Sequence, residues 1–226
     1  GYEREPNPQL AARRDLFYFS DASSCGTSTA ISVPCMFSQS GRSEFSAAQA
    51  SRIPNMLDVL ASTAVDVTWL DNNSGCKGVC ARVPTMNLGA GRQGQEIPAV
   101  PASCKDEPCF DSVLGEAFAA QLANGSRSRA DQLFVIHQNG SHGPAYAERY
   151  PYSDEHFRPA CHSNRLDACS HEEVLNAYDN SIRYTDRMVA ELITQLEARQ
   201  GDFNSLLIYA SDHGESLGEQ GLYLHG

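Results

Sequence analysis

A short stretch near the amino end of the sequence carries hydroxyl side chains between two cysteines. Residues 24–35 read SCGTSTAISVPC and place Thr27, Ser28 and Thr29 between Cys25 and Cys35. A hydroxyl at the junction of a strand and a helix N-terminus can attack phosphorus, because the N–H groups and the dipole of the helix favour anions there. By itself, the stretch is as consistent with a polar turn that a disulfide closes.

A carboxylate and an imidazole stand side by side near the other end of the sequence. Asp212 and His213 follow an apolar run directly. With a hydroxyl and further histidines, these side chains suit Zn²⁺, which lowers the pKa of a bound hydroxyl and neutralises charge on a transferring phosphoryl or sulfuryl group. Taken alone, an Asp-His pair is more typical of a capped loop with a surface histidine.

Other polar residues could complete such a site. His142 and His225 could hold the non-bridging oxygens of a substrate or protonate a leaving group. Lys77 could add positive charge, although a solvated lysine is the more common case. His137 is predicted to be a buried histidine that supports the site.

The elements that must position these residues alternate along the chain. Apolar runs predict strands over 16–19, 65–70, 133–136 and 206–209, and the remaining patterns predict helices over 54–63, 111–123 and 171–199 and a long irregular loop over 81–110. Ser170 and Glu173 form a capping-box signature for the last helix. Pro34 keeps any helix that begins near Thr29 short or kinked. The alternation predicts an α/β fold with a mostly parallel central sheet flanked by helices.

A polar cluster follows each predicted strand. The clusters contain Thr29; Asn73, Ser74 and Lys77; His137 and His142; and Asp212, His213 and Glu215. Because ligands of open α/β sheets bind outside the carboxyl ends of the strands, we expect the clusters to converge along one edge. The alternative for Asn73 and Ser74 is that they are turn residues.

The eight cysteines fall into four close pairs. These are Cys25/Cys35, Cys76/Cys80, Cys104/Cys109 and Cys161/Cys169. An even count in local pairs predicts disulfides and an oxidising compartment. A zinc site made by the two central pairs is the competing interpretation, with looser spacing than the usual zinc knuckle.

Composition limits the class of protein. A length of 226 residues predicts one domain, and a net charge of −11 argues against a nucleic-acid partner. No stretch approaches the roughly 20 apolar residues of a transmembrane helix, and no signal peptide is predicted within these residues. We expect the chain to be a fragment of a longer protein that is delivered to an oxidising compartment.

Five motifs resemble a known family. SCGTSTAISVPCMFS, DNNSGCKG, HQNGSHGPAY, NAYDNSI and YASDHGESLGEQGLYLHG occur in the order found in the phosphoethanolamine transferases that modify lipid A, a group that includes chromosomal and mobile colistin-resistance enzymes. The resemblance starts at an NGYER-like segment and covers nearly the whole chain. It implies an alkaline phosphatase/sulfatase-like fold that is stapled by local disulfides.

The resemblance also implies an activity and a zinc site. A zinc-dependent transferase would move phosphoethanolamine from phosphatidylethanolamine to a phosphate of lipid A through a phosphothreonine-type intermediate, conferring polymyxin and colistin resistance. The nucleophile of the family falls on Thr29, and its zinc ligands fall on Thr29, Asp212 and His213. Its second-metal or phosphate-binding histidines fall on His142 and His225. One tightly bound Zn²⁺ is implied, and a second is left open.

Further roles follow from the same resemblance. The substrate-contacting residues fall on Asn73, Ser74 and Lys77, with Glu215 near the metal. The family disulfides match Cys25/Cys35, Cys161/Cys169 and Cys104/Cys109, whereas Cys76/Cys80 occurs only in some members.

The resemblance finally predicts the setting of the chain. Residues 1–226 would form a single, monomeric catalytic domain on the periplasmic face of the bacterial inner membrane. The N-terminal membrane domain, an upstream glutamate that ligates zinc and the C-terminal end would lie outside this span, which we do not expect to be active alone.

The alternatives are of two classes. A phosphoglycerol transferase, phosphatase or sulfatase could use the same fold, although a sulfatase needs a Cys or Ser, matured to formylglycine, where Thr29 stands. A non-catalytic, disulfide-rich periplasmic module is the other alternative.

Overall fold

The computed structural model describes residues 2–89, 109–125 and 130–225. Within these ranges, the helices are α1 (Pro8–Ala11), α2 (Thr29–Met36), α3 (Ala47–Ala50), α4 (Met56–Ser62), α5 (Ser112–Gly125) and α6 (His171–Glu197). The strands are β1 (Asp66–Asp71), β2 (Thr85–Asn87), β3 (Gln132–His137), β4 (Ser216–Leu217) and β5 (Tyr223–Leu224). None of the described helices combines the length and the apolar composition that crossing a bilayer requires.

A parallel sheet in the order β2-β1-β3 forms the centre of the described structure. In the register of β1 and β3, Asp71 lies opposite His137, so both strands end at the same edge. A short antiparallel pair, β4-β5, follows α6. The predicted α/β fold with a parallel sheet is confirmed.

The core lies on both faces of this sheet because side chains of β1 alternate between them. Val67 and Trp69 pack on one face with Val33 and Phe37 of the α2 region and Leu57 of α4. Leu70 lies on the other face, in a second cluster. That cluster also contains Val113, Leu114, Phe118 and Leu122 of α5 and Leu192 of α6. Helices therefore cover the sheet on both sides.

Helix α6 begins at the predicted capping box, in which Ser170 and Glu173 bond reciprocally. Several of its polar side chains are buried and hold segments that lie far away in the sequence. Asp179 accepts hydrogen bonds from Tyr2 and Arg4. Asn180 accepts from the backbone N–H groups of residues 156 and 157. The NAYDNSI motif therefore anchors the amino-terminal segment and a neighbouring loop.

Two predicted strands are wrong, and the loop predicted over 81–110 is wrong where it contains β2, while residues 90–108 lie outside the described residues. Residues 16–19 and 206–209 pair with no strand in the described part of the chain, and Phe17 and Ile208 are 87% and 82% exposed. An apolar run becomes a strand only where a neighbour completes its hydrogen bonds. Conversely, β2 lies inside the region predicted to be an irregular loop over 81–110, because β1 offers it a pairing edge.

Three of the predicted disulfides are present with both partners described. They join Cys25 to Cys35, Cys76 to Cys80 and Cys161 to Cys169. The Cys76–Cys80 bond contradicts the alternative in which these thiols bind zinc.

The fourth predicted pair, Cys104/Cys109, is described only at Cys109. This cysteine is disulfide-bonded, which also contradicts the alternative in which its thiol binds zinc. Its predicted partner, Cys104, lies outside the described residues, so the pairing of Cys109 with Cys104 stays a prediction. Cys109 packs against the core cluster of α5 and α6, and its carbonyl accepts a hydrogen bond from Nδ2 of Asn72. It therefore lies where the loop after β1 meets the start of α5.

Candidate active site

The disulfide-closed hydroxyl stretch leads directly into α2. Ser28 is the N-cap residue and Thr29 is the first residue of the helix. The carbonyl of Gly26 accepts hydrogen bonds from the hydroxyls of Ser24 and Ser32, which fixes the loop in front of the helix. The helix is eight residues long and contains Pro34, as expected. Because the first N–H groups of a helix have no intrahelical partner, this turn favours an anion beside Thr29.

Thr29 meets the Asp-His pair from the other end of the chain. Its Oγ1 lies 3.3 Å from Nε2 of His213, and the Thr29 side chain is buried. The Oδ2 atom of Asp212 lies 3.7 Å from the same nitrogen. That Oδ2 is buried and has no hydrogen-bond partner in the described part of the chain. A hydroxyl, an imidazole nitrogen and a carboxylate oxygen therefore meet at one point.

The other two predicted histidines lie beside this point. Nε2 of His142 is 3.3 Å from Nε2 of His225. The ring centroid of His213 lies 4.2 Å from that of His225 and 6.3 Å from that of His142. Glu215 Oε1 lies 3.8 Å from His225 Nε2. The structure thus brings six predicted residues into one cluster: Thr29, His142, Asp212, His213, Glu215 and His225.

Glu215 also holds the loop that carries His142. Its Oε1 accepts a hydrogen bond from the backbone N–H of Gly143, and its Oε2 accepts one from the hydroxyl of Tyr146. Burial and the neighbouring Glu215 carboxylate raise the pKa of Tyr146 far above its usual value. Tyr146 consequently stays a hydrogen-bond donor to this carboxylate.

Asp71, at the end of β1, connects two predicted site segments. Its buried carboxylate accepts from the Trp69 indole and from the backbone N–H of Asn73, and it lies 3.0 Å from Nδ1 of His137. Burial alone would raise the pKa of Asp71, but the hydrogen bonds from His137 and Trp69 lower it below its ordinary value. His137, predicted to be buried, is half-buried beside Asp71, and its supporting role stays a prediction.

The loop after β1 is tied to itself and to the loop after β3. Asn73 donates from Nδ2 to the carbonyl of Gln138. Lys77 donates from Nζ to the carbonyl and the hydroxyl of Ser74. No described hydrogen bond or ion pair joins Ser74 or Lys77 to the six-residue cluster. They share its sheet edge through the register of β1 and β3.

The donor atoms in the cluster fit a zinc ion. Two ligands at about 2.0–2.1 Å from one tetrahedral zinc lie about 3.3 Å apart. The distance between Thr29 Oγ1 and His213 Nε2 and that between His142 Nε2 and His225 Nε2 both match this value. Asp212 adds a buried carboxylate oxygen without a hydrogen-bond partner in the described ranges. Ligand atoms of His142, Glu215 and His225 lie within 4.8 Å of one another and form a second candidate cation site.

The sequence patterns predict no active-site role for three residues that organise the site. Asp71 ends β1, Asp111 directly precedes α5, and Tyr146 lies within the HQNGSHGPAY motif. For the two aspartates, the sequence signal is a carboxylate at the end of a strand or just before a helix, where backbone N–H groups of loops converge.

The parallel sheet with helices on both faces has the alkaline phosphatase/sulfatase-like fold. The family model described as Sulfatase matches residues 1–226, and the chain belongs to this family. It is 42% identical to the phosphoethanolamine transferase EptA of Salmonella typhimurium, over 100% of this chain and 39% of that protein. It is 40% identical to the phosphatidylethanolamine transferase Mcr-1 of Escherichia coli, over 100% of this chain and 41% of that protein.

A solved structure agrees with these similarities. The soluble domain of lipooligosaccharide phosphoethanolamine transferase A from Neisseria meningitidis matches with a TM-score of 0.89 and 40% identity. The match covers 100% of this chain and 64% of that domain. The chain thus spans about 39–41% of the length of the two relatives named above.

Proposed function

We propose that the protein containing this chain transfers phosphoethanolamine from phosphatidylethanolamine to a phosphate of lipid A, with Thr29 as the nucleophile. The observation that carries the proposal is the 3.3 Å approach of Thr29 Oγ1 to His213 Nε2 at the N-terminus of α2. The names of the two relatives support the group transferred and the phosphatidylethanolamine donor. The five-motif resemblance supports lipid A as the acceptor.

In the first half of the reaction, a bond forms between Thr29 Oγ and the phosphorus of the donor while the phosphorus–oxygen bond to diacylglycerol breaks. The Thr29 hydroxyl loses its proton, and the departing diacylglycerol oxygen gains one. His142 and His225 are the groups that we assign to protonate this leaving oxygen or to hold the non-bridging oxygens, because their Nε2 atoms face each other beside Thr29.

In the second half, an oxygen of a lipid A phosphate bonds to the same phosphorus while the bond to Thr29 Oγ breaks. Thr29 regains its proton, and lipid A carries the phosphoethanolamine group. The acceptor distinguishes this transferase from a hydrolase, in which water instead of the lipid A phosphate takes the group from the protein.

Thr29, Asp212 and His213 are the residues that would hold a Zn²⁺ ion. Such an ion lowers the pKa of a bound hydroxyl and neutralises charge on the transferring phosphoryl group. The unpartnered Oδ2 of Asp212, among the described residues, and the ligand-like distance between Thr29 and His213 support this assignment. His142, Glu215 and His225 would hold a second ion or the substrate phosphate.

Binding of the phosphate is assigned to the loop after β1. Asn73, Ser74 and Lys77 lie at the carboxyl end of the strand whose neighbour, β3, leads to His142. The Lys77 ammonium is held by Ser74, which positions a positive charge for an anionic group. Glu215 completes this set, since it supports both His225 and the loop of His142.

The setting of the domain is part of the proposal. We place residues 1–226 in one catalytic domain of a monomeric, membrane-anchored protein, on the periplasmic face of the inner membrane, where lipid A modification gives polymyxin resistance. A glutamate outside this span would be the fourth zinc ligand. Support comes from the share of the relatives that the chain covers and from the apolar segments 16–19 and 206–209, which are exposed and pair with no strand among the described residues.

The test uses the full-length protein in vesicles that contain phosphatidylethanolamine and lipid A. We expect lipid A to gain phosphoethanolamine and diacylglycerol to appear in equal amount, as measured by lipid mass spectrometry. Free phosphoethanolamine without modified lipid A would indicate a hydrolase on the same fold. Turnover of a sulfate ester or of a phosphoglycerol donor would indicate the other two enzyme classes. No turnover and no zinc would support a non-catalytic module.

A further inference from the structure

A buried carboxylate outside the six-residue cluster joins the two loops that follow β1 and β3. Asp111 directly precedes α5 and is 3% exposed. Its carboxylate accepts from Nδ2 of Asn72 at 2.8 Å and from the backbone N–H groups of Asn139 at 2.9 Å and Gly140 at 2.8 Å. Three donors from two separate loops thus meet at one side chain.

The loop that Asp111 holds carries His142. Gly140 lies two residues before this histidine and adopts a left-handed conformation with φ of 59°. On the far side of the loop, Arg149 donates to the carbonyl of His142 at 2.7 Å, and Gly143 donates to Glu215 at 3.2 Å. The backbone around His142 is therefore held on both sides of this residue, and Asp111 holds the side that precedes it.

We propose that Asp111 is a positioning residue that fixes residues 138–143 so that Nε2 of His142 faces Nε2 of His225. The catalytic consequence rests on the function proposed above, whereas the geometric claim does not. A carboxylate suits this place because its oxygens accept from every donor that converges here. Burial raises the pKa of Asp111, whereas the hydrogen bonds from Asn72, Asn139 and Gly140 act in the opposite direction and favour the ionised carboxylate.

The chain offers a matched control for this claim. Asp186 of α6 is 2% exposed and accepts from two consecutive backbone N–H groups, those of Gln9 at 2.8 Å and Leu10 at 2.9 Å. It holds the amino-terminal segment and not the loop of His142. Asp111→Asn and Asp186→Asn therefore make the same chemical change. Each alters a buried carboxylate that accepts hydrogen bonds from backbone N–H groups, but of the two only Asp111 holds the loop of His142.

The readout is the reaction of His142 with diethyl pyrocarbonate in the full-length protein, followed by peptide mass spectrometry, with the exposed His171 as internal reference. In Asp111→Asn, we expect the modification rate of His142 to rise several-fold. We also expect kcat to fall about 10- to 100-fold with little change in KM, as is typical when a supporting residue is lost. Asp186→Asn should leave the modification rate of His142 and kcat unchanged. Equal effects of the two variants on His142 would overturn the proposal.

A second measurement covers the case in which Asp111→Asn fails to fold. In the unaltered protein, the amide hydrogens of Asn139 and Gly140 should exchange as slowly as those of Gln9 and Leu10. Fast exchange of the amide hydrogens of Asn139 and Gly140 would contradict the proposal that Asp111 holds this loop. If the unaltered protein shows no transferase activity, the proposed function fails, while the exchange and modification rates still decide the role of Asp111.

Discussion

The hydroxyl of Thr29 lies 3.3 Å from Nε2 of His213, although 184 residues separate the two in the sequence. The first stands at the start of a helix, and the second follows the apolar segment 206–209. Segments from near the two ends of the described chain therefore lie together at one edge of the sheet.

Replacing His142 or His225 by Asn should lower transfer activity on the order of 100-fold or more, because general acid catalysis typically contributes this much. His171→Asn is the matched control, since this histidine is exposed at the start of α6. Initial rates of lipid A modification measure the effect. Wild-type rates in both site variants would remove these histidines from the mechanism.

Removing zinc should abolish activity and lower the melting temperature of the protein. A metal that binds only the folded state stabilises it by mass action, so its loss must appear in the unfolding transition. Asp212→Asn should show a lower melting temperature already before chelation and little further change afterwards. Metal analysis and calorimetry make the comparison. A chelator-treated protein with full activity and an unchanged transition would exclude a zinc enzyme.

Asp71→Asn should destabilise the protein most at neutral pH and least in acid. The pKa of Asp71 is lower in the folded protein than its ordinary value of about 3.9, so its ionised form stabilises the fold above that value. This contribution is lost as the pH falls through the folded pKa. At pH 7, we expect a loss on the order of 2 kcal/mol for the hydrogen bonds to the carboxylate.

Unfolding of wild type and Asp71→Asn at pH 7 and pH 3.5 measures this difference. His137 lies next to Asp71, and so His137→Asn at both pH values serves as a check on the pair. A difference between wild type and Asp71→Asn that stays constant between the two pH values would show that the charge of Asp71 contributes nothing.

Breaking the Cys76–Cys80 bond by replacing both cysteines with Ser should lower the free energy of unfolding by about 2 kcal/mol. A bond that closes so short a loop removes only a modest conformational entropy from the unfolded chain. The Cys161–Cys169 pair is the comparison and should cost slightly more, because its loop is longer. Denaturant unfolding measures both. A stable double variant that binds one zinc fewer would instead favour the zinc interpretation of these thiols.

The parts of the fold that carry their own pattern could be predicted from the sequence. Helix α6 has a capping box and an apolar period, and β3 is a continuous apolar run between helices. The boundaries follow because these signals are local. The segment 206–209 carries the same kind of apolar run, but no strand partner lies beside it in the described ranges. Pairing is a property of two segments, so one segment cannot reveal it.

In the candidate site, too, some residues could be predicted from the sequence and others could not. Thr29 and Asp212 could be selected because they follow apolar runs and offer zinc-binding chemistry. The role of Asp111 could not be selected, since the N–H groups that it accepts from lie 28 and 29 residues away. A carboxylate before a helix predicts a helix cap. Only the folded structure shows that Asp111 also accepts hydrogen bonds from the loops that follow β1 and β3.

The most direct measurement is peptide mass spectrometry of the full-length protein after incubation with phosphatidylethanolamine and without an acceptor. The account predicts a phosphoethanolamine adduct on Thr29 that disappears when lipid A is added. It predicts no adduct in Thr29→Ala and a normal adduct in Ser28→Ala, which removes a neighbouring hydroxyl that makes no side-chain cap bond to α2. An adduct on another residue, or lipid A modification by Thr29→Ala, would contradict the central role of Thr29.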